Sequence, residues 1–130
     1  SKEDNNGARK KNVYSITDAG IAEFRVWMDQ TPDEPVKRIE LSLKTFFGAY
    51  VPPSVLIKHI EKEKFLLEQR LDLVAKNYKE LDMQYAQHPA YSYWKILLKR
   101  GELISNAELQ WTQEALEELK KIDELKSKNQ

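Results

Sequence analysis

The amino-acid sequence predicts an all-α fold, in which two short helices precede two long antiparallel helices that form a dimeric, coiled-coil-like bundle. Apolar residues recur at intervals of three and four along two stretches of more than thirty residues each. The prolines fall between the helical stretches, where helices break. With 130 residues, of which 41% are hydrophobic, the chain is long enough to form one core.

The predicted helices span 17–28, 35–49, 53–85 and 90–126. Thr17 is the predicted N-cap of the first helix, because its hydroxyl can accept a hydrogen bond from a free N–H of the first turn. Each of the two long helices would extend on the order of 50 Å at about 1.5 Å per residue. A compact chain of this size has a radius of gyration of only about 14 Å. We therefore expect the apolar stripes of the long helices to meet those of a second copy across a twofold axis.

The predicted dimer interface takes residues from both long helices. In the third helix the apolar residues alternate by threes and fours, with Lys64 as the one polar position, which is typical of coiled coils. The candidate interface residues are Ile57, Ile60, Leu67, Leu71, Val74, Tyr78, Ile104, Trp111, Leu119 and Ile122.

The N-terminal segment 1–16 is predicted to be a polar loop or arm that ends in a short strand at 12–16. A single strand needs a neighbour for its backbone groups, and none is expected within this sequence. We expect it to pair with another copy or to form a loose arm. Arg9, Lys10 and Lys11 precede the strand and suit the wing of a winged helix, where basic residues contact DNA phosphates. A solvated basic arm is the alternative.

The composition argues against several classes of function. The sequence has no cysteine, its formal net charge is zero, and it lacks a Gly-rich phosphate loop and any metal-ligand spacing. We predict no enzymatic activity, no cofactor, no metal and no membrane span. His59 is interpreted as a surface residue, and His88, in a predicted turn before Pro89, as a structural residue with a ligand-pocket role as the alternative.

Aromatic residues cluster at two places in the sequence. Phe46 and Phe47 lie on the second predicted helix, and Tyr91 and Trp94 on the fourth. Core and interface packing is the simpler interpretation. The alternative is a pocket for a small aromatic effector formed by these four side chains, since ligand pockets are mostly apolar and aromatic-lined.

The sequence resembles the PadR-type transcription regulators. The residues that carry this resemblance are Asn-Val-Tyr-Ser-Ile-Thr-Asp-Ala-Gly at 12–20, Lys-Thr-Phe-Phe-Gly at 44–48, Pro52-Pro53, Tyr-Ser-Tyr-Trp-Lys-Ile-Leu-Leu-Lys-Arg-Gly at 91–101, Glu108 and Trp111. Together they cover the chain from Ala8 to about Leu125. The size of the C-terminal part indicates the branch with phenolic-acid repressors and virulence activators.

The resemblance implies a dimeric cytoplasmic regulator whose N-terminal winged helix binds DNA. The helix-turn-helix would precede Ser1, so we interpret the chain as the C-terminal part of a longer protein, with a wing remnant at 1–16 and a helical dimerisation and effector domain at 17–130. DNA would be contacted only through the winged helix. The alternative function is a structural coiled-coil adaptor with neither ligand nor DNA, which leaves the basic wing segment unexplained.

Overall fold

The computed structural model describes residues 2–5, 11–32 and 40–129. The chain divides into two compact units, residues 1–38 and 39–130. Strands β1 and β2 and helix α1 belong to the first unit, and helices α2, α3 and α4 to the second. The sequence places a domain boundary after residue 16, whereas this division groups α1 with the strands.

The N-terminal strands form a two-stranded antiparallel hairpin. β1 (Lys2–Asn5) pairs with β2 (Lys11–Tyr14), so that Lys2 lies opposite Tyr14 and Asn5 opposite Lys11. The prediction for this segment was wrong in two respects. The strand partner lies within the same chain, inside the region predicted to be a loop, and β2 is shifted from the predicted 12–16 span towards the N-terminus. The adjacent N-terminal segment satisfies the backbone groups of β2 without a second copy.

Helix α1 (Asp18–Asp29) begins at the predicted cap. The backbone N–H of Gly20 donates a 3.0 Å hydrogen bond to Oγ1 of Thr17, and Asp18 places a negative charge in the first turn. The helix has no buried residue, and the large side chains of Phe24, Trp27 and Met28 are all exposed.

Helix α2 (Glu40–Phe46) is shorter than the predicted second helix and is followed by a 3₁₀ turn at Gly48–Tyr50. The first residues of the predicted 35–49 span, up to 39, lie outside the described residues. The backbone N–H of Tyr50 donates to the carbonyl of Phe47, which tightens the chain before the two prolines.

Helices α3 (Pro53–Gln84) and α4 (Tyr91–Lys128) confirm the two predicted long helices. Pro53 is in the first turn of α3, where its missing N–H has no intrahelical partner in any case. α4 continues past the predicted end at 126 to Lys128. With 32 and 38 residues, the helices extend about 48 Å and 57 Å at 1.5 Å per residue.

The two long helices pack against each other as an antiparallel hairpin. Asp82 of α3 contacts Tyr91 of α4 beside the turn, and Val74 lies next to Gly101 near the middle of the hairpin. Further along, a guanidinium nitrogen of Arg70 lies 4.0 Å from Oε2 of Glu108. We call the turn end, residues 85–94, the hairpin tip. The opposite end, where α2 and the 3₁₀ turn pack on α3, is the hairpin base.

The interface between α3 and α4, which we call the seam, contains most of the core of the second unit. The buried side chains of α3 are aliphatic, whereas two of the three buried side chains of α4 are small and carry a hydroxyl group. The buried residues of α3 are Pro53, Leu56, Ile60, Leu67 and Leu81, and those of α4 are Ser105, Thr112 and Leu116. Oγ1 of Thr112 donates a 2.6 Å hydrogen bond to the carbonyl of Leu109, so this buried hydroxyl keeps a partner. The intervals of three and four are those of a coiled coil, and the partner helix is in the same chain.

Gly48 is required by close packing at the hairpin base. A Cβ atom at this position would come within 2.6 Å of Cδ1 of Leu56, which is buried. We predict that Gly48→Ala lowers the free energy of unfolding by about 1–3 kcal/mol, because Leu56 must leave its rotamer or the 3₁₀ turn must move. Urea or thermal unfolding measures the effect.

Gly101→Ala is the matched control for this substitution. Its added Cβ would meet Cγ2 of Val74 at 3.9 Å, an ordinary van der Waals distance. Alanine is better than glycine in a helix by about 1 kcal/mol, so this variant is expected to be at least as stable as the parent. Equal stability of the Gly48→Ala variant and the parent would contradict the packing explanation.

Candidate functional site

A second stripe, which is mostly apolar, runs along α4 beside the face that packs on α3. Its members recur at intervals of three and four over most of the helix, and we call them the outer stripe. The outer stripe consists of Trp94, Leu97, Gly101, Ile104, Glu108, Trp111, Ala115, Glu118, Ile122 and Leu125. Leu97 is 66% exposed, and the other large apolar members are between 40% and 62% exposed. α4 therefore has two neighbouring apolar faces, one packed on α3 and one largely exposed. Gly101 and Glu108 lie between them, close to Val74 and Arg70 of α3.

The structure divides the predicted dimer-interface residues into three sets, which are buried, half-buried and exposed. Ile60 and Leu67 are completely buried within the chain, so they offer no surface to a second copy and are removed from the candidate interface. Another set of predicted residues is half-buried: Ile57, Leu71, Val74, Tyr78 and Leu119. The remaining predicted residues, which are Ile104, Trp111 and Ile122, are exposed and belong to the outer stripe. These three remain candidates for intermolecular contact.

A groove lies beside the outer stripe at the hairpin base. It has a volume of about 380 Å³, which is within the range of small-ligand pockets. Its walls come from the 3₁₀ turn, the first turns of α3 and the last third of α4. The lining residues are Thr45, Gly48, Ala49, Pro53, Leu56, Ile60, Trp111, Ala115, Glu118, Leu119, Ile122 and Lys126. Sequence reasoning missed this groove, although glycine and alanine at Gly48, Ala49 and Ala115 leave space where larger side chains would fill it.

The four residues predicted to form one effector pocket do not meet within the chain. Phe46 and Phe47 lie at the hairpin base, where their rings contact edge to face with centroids 5.0 Å apart. Tyr91 and Trp94 lie at the tip. The length of α3 separates the two pairs by more than about 40 Å. A pocket formed by all four in a single copy is therefore excluded.

The hairpin tip carries a compact aromatic cluster. The ring of His88 stacks on that of Trp94 with centroids 4.6 Å apart, and Tyr85 meets Trp94 edge to face at 5.8 Å. Nδ1 of His88 accepts a 3.0 Å hydrogen bond from the backbone N–H of Ala90. The imidazole thus stabilises the turn between the long helices, in agreement with the structural interpretation of His88.

The hydroxyl of Tyr91 donates a short hydrogen bond to Oδ1 of Asp82 across the tip. This hydrogen bond is the largest cause of a raised pKa for Tyr91, because ionisation would remove the donor and place two negative charges together. Lys95 lies over the same ring, 5.2 Å from its centroid. The hydrogen bond between Tyr91 and Asp82 connects the start of α4 to the end of α3.

The predicted DNA-contacting residues are only partly covered by the structure. Arg9 and Lys10 lie outside the described residues, and Lys11 is the first residue of β2. Within residues 15–32 and 40–129, no group of three or more potential metal-binding side chains is found. Over the same part of the chain, no helix is long and apolar enough to cross a membrane.

Comparisons with known proteins identify the family. The family model for the virulence activator alpha C-terminal domain matches residues 37–120 of this chain. The chain belongs to the PadR-like family of transcription regulators. The match covers α2, the 3₁₀ turn, all of α3 and most of α4, which is the part of the chain that carries the seam and most of the groove. The comparison with curated proteins found no match.

Two solved structures resemble this PadR-like chain. The virulence activator AphA of Vibrio cholerae is 30% identical, with a TM-score of 0.64 over 85% of this chain. The PadR-like transcriptional regulator BC1756 from Bacillus cereus is 24% identical, with a TM-score of 0.69 over 92% of this chain. This likeness shows that the two chains share a fold. The chain spans 66% of the length of each of these two proteins.

We predict that Asp82→Asn lowers the pKa of Tyr91 towards its ordinary value of 10.0, because the carboxylate acceptor is lost. In the parent protein the folded state favours the neutral phenol of Tyr91. The hydrogen bond to Asp82 therefore stabilises the fold below pH 10, and this stabilisation is lost as the pH rises through the raised pKa of Tyr91 in the folded state. NMR titration of ring-labelled tyrosine measures the change, and Tyr91→Phe identifies the signal. An unchanged pKa in Asp82→Asn would exclude the hydrogen bond as its cause.

Proposed function

We propose that this PadR-like chain is the C-terminal dimerisation domain of a DNA-binding transcription regulator. The observation that carries the proposal is the outer stripe of α4, because a coiled-coil period on an exposed helix face is the pattern of a helix with an absent partner. Single exposed apolar residues are common on protein surfaces, but exposed apolar residues that recur along most of a helix indicate an interaction site.

The outer stripe would form the centre of an interface. A standard interface covers about 800 Å² on each partner, contributed by roughly 20–30 residues. The ten positions of the stripe run from Trp94 to Leu125 along most of α4, and flanking residues would complete the interface. Trp94 lies at one end of the stripe and Trp111 near its middle, and large aromatic side chains are the residues on which interface energies most often depend.

The role of the dimer would be to fix the distance between two DNA-binding units. In helix-turn-helix dimers, half-sites are about one DNA turn apart (~34 Å), and the recognition helices supply the base contacts. The hairpin β1–β2 would serve as the wing. Arg9, Lys10 and Lys11 would then contact phosphates, which position a protein on DNA without reading its sequence.

Effector binding is a further part of the proposal. A small aromatic molecule that prefers one arrangement of the helices would shift the population of DNA-binding states. The effector would have to bind between two copies or in the groove at the hairpin base, because the predicted aromatic residues do not meet within one chain. The adaptor alternative has less support, since the family is one of transcription regulators.

Phenolic acids are the effector class that we predict. At millimolar concentration they are expected to change the fluorescence of Trp94 or Trp111 and to raise the thermal unfolding midpoint, because a ligand that binds only the folded state stabilises it. Trp94→Phe and Trp111→Phe variants assign the fluorescence change. If neither fluorescence nor midpoint changes, this ligand class is excluded.

Leu97 and Ile96 provide a test of the dimer interface with two neighbouring residues of α4. Leu97 belongs to the outer stripe and Ile96 does not, yet they are 66% and 68% exposed. We predict that Leu97→Asp weakens dimerisation by at least about tenfold, because a charge in an apolar interface costs more than 1.4 kcal/mol. Ile96→Asp is expected to leave dimerisation unchanged. Sedimentation equilibrium of the full chain measures both dissociation constants.

Circular dichroism provides the control for folding. Both variants are expected to retain the helical spectrum of the parent, since neither side chain lies in the seam. A parent chain that sediments as a monomer at tens of micromolar would overturn the proposed dimer. An equal effect of the two substitutions would remove the outer stripe from the interface.

A further inference from the structure

The groove at the hairpin base is lined mainly by aliphatic side chains. Leu56 and Ile60 supply its α3 wall, and Leu119 and Ile122 supply much of its α4 wall. Among the described residues that line it, Trp111 alone is aromatic. Because removing apolar surface from water is favourable, these walls favour a hydrocarbon ligand over a polar one.

The groove is long compared with its volume. Its α4 wall runs from Trp111 to Lys126, which is about 22 Å at 1.5 Å per residue. The volume of about 380 Å³ is distributed along that length. A methylene group is about as large as a water molecule, whose share of liquid volume is roughly 30 Å³. The groove therefore has room for one unbranched chain of about twelve carbon atoms, whereas a single phenolic ring would leave most of its length empty.

Three of the lining residues carry a hydroxyl or a charged group, and two of these have partners within the chain. Oγ1 of Thr45 donates a 2.7 Å hydrogen bond to the carbonyl of Leu41. Oε1 of Glu118 lies 3.4 Å from Nζ of Lys121. The third residue is Lys126, for which no ion pair is found in the part of the chain that the structure describes. One end of the groove therefore carries an uncompensated positive charge.

We propose that the groove binds an unbranched aliphatic monocarboxylate, such as decanoate, whose chain lies along α4 and whose carboxylate pairs with Lys126. The inference rests on effector binding as part of the proposed function and adds the place, the ligand class and the anchoring residue. An apolar chain and one negative charge match the two features of the groove, its aliphatic walls and its free lysine. Ligand pockets commonly combine apolar walls with a few polar groups that orient the ligand.

A series of carboxylates from hexanoate to tetradecanoate tests the fit of the chain. Each is titrated into the full chain below its micelle concentration, and binding is measured by calorimetry. The affinity is expected to rise about two- to fourfold for each added methylene, because each buried methylene contributes a nearly constant free energy. The rise should stop near about twelve carbon atoms, where the groove is full. An affinity that does not depend on chain length would overturn the inference.

The fluorescence of Trp111 reports whether the ligand lies in the groove. The chain has three tryptophans, so Trp27→Phe and Trp94→Phe together leave Trp111 as the only one. Decanoate is expected to change the emission of this variant with the same dissociation constant as in calorimetry. Heat of binding without a change in emission would place the ligand elsewhere and contradict the assignment.

Substitution of two lysines in the last turn of α4 tests the charged end of the groove. Lys126→Gln is expected to weaken decanoate binding about two- to fivefold, the range of an exposed ion pair, and to leave decanol binding unchanged. Lys128→Gln is the matched control, because Lys128 lies in the same turn and does not line the groove. Decyltrimethylammonium should bind more weakly than decanoate. An equal effect of the two lysine substitutions, or tighter binding of the ammonium compound, would overturn the anchoring by Lys126.

A variant with a filled groove tests the location without changing the seam or the outer stripe. Ala49 lines the groove from the 3₁₀ turn and is exposed. Ala49→Leu is expected to weaken decanoate binding at least about tenfold, because its added carbon atoms occupy space that the ligand chain needs. Ala107→Leu, on an exposed position of α4 outside the groove, is the control and should bind like the parent. Circular dichroism confirms that both variants are folded.

The remaining arms separate this inference from its alternatives. Vesicles of phosphatidylglycerol are not expected to bind, since the groove has room for one chain, and vesicle binding that Ala49→Leu abolishes would assign the groove to a membrane lipid instead. If phenolic acids have no effect and decanoate binds, the effector class of the proposed function fails and the groove assignment stands. If decanoate does not bind the parent at millimolar concentration, the groove assignment is overturned, whatever the phenolic acids do.

Discussion

The antiparallel seam between α3 and α4 is the interaction on which the second unit depends. The described short elements of this unit contribute little buried surface, and the buried aliphatic side chains lie almost entirely on the two long helices. Ile60 and Leu67 are completely buried there, against a face of α4 that contains Ser105 and Thr112. The small buried residues of α4 and the large buried residues of α3 favour close packing of the two helices. The seam connects the tip of the hairpin to its base.

The seam also decides which surfaces remain for other partners. Helix α4 has more apolar residues than one face can bury, so large apolar residues beside the seam stay exposed and form most of the outer stripe. Near the base, small residues of the 3₁₀ turn and of α4 turn this stripe into a groove. At the tip, the stacked rings of His88 and Trp94 and the Ala90–His88 hydrogen bond hold the turn. The two ends of the hairpin therefore differ in shape.

Membership of the PadR-like family gives these surfaces a context. The family match covers the seam and most of the groove, and both solved relatives are longer than this chain. The apolar surface of α4 is only partly covered within one copy, because the seam and the outer stripe are neighbouring faces of the same helix.

The sequence by itself determined the local structure. The spacing of apolar residues placed α3 and α4 to within a few residues, Thr17 marked the start of α1, and Pro53 marked the start of α3. These features depend on hydrogen bonds and contacts between residues three or four apart, which the sequence shows directly. The motif order also identified the family.

Only the tertiary structure decided which partner each apolar face meets. A coiled-coil period is the same whether the second helix lies in the same chain or in another copy, so Ile60 and Leu67 were predicted at a dimer interface and lie in the seam. The strand β2 likewise has a partner in its own chain. The aromatic residues Phe46 and Trp94 were grouped by type but lie at opposite ends of the hairpin, because helix length separates them. The groove exists because small side chains leave a space between the 3₁₀ turn, α3 and α4. Its walls are distant in the sequence, so only the packed helices show that they enclose one space.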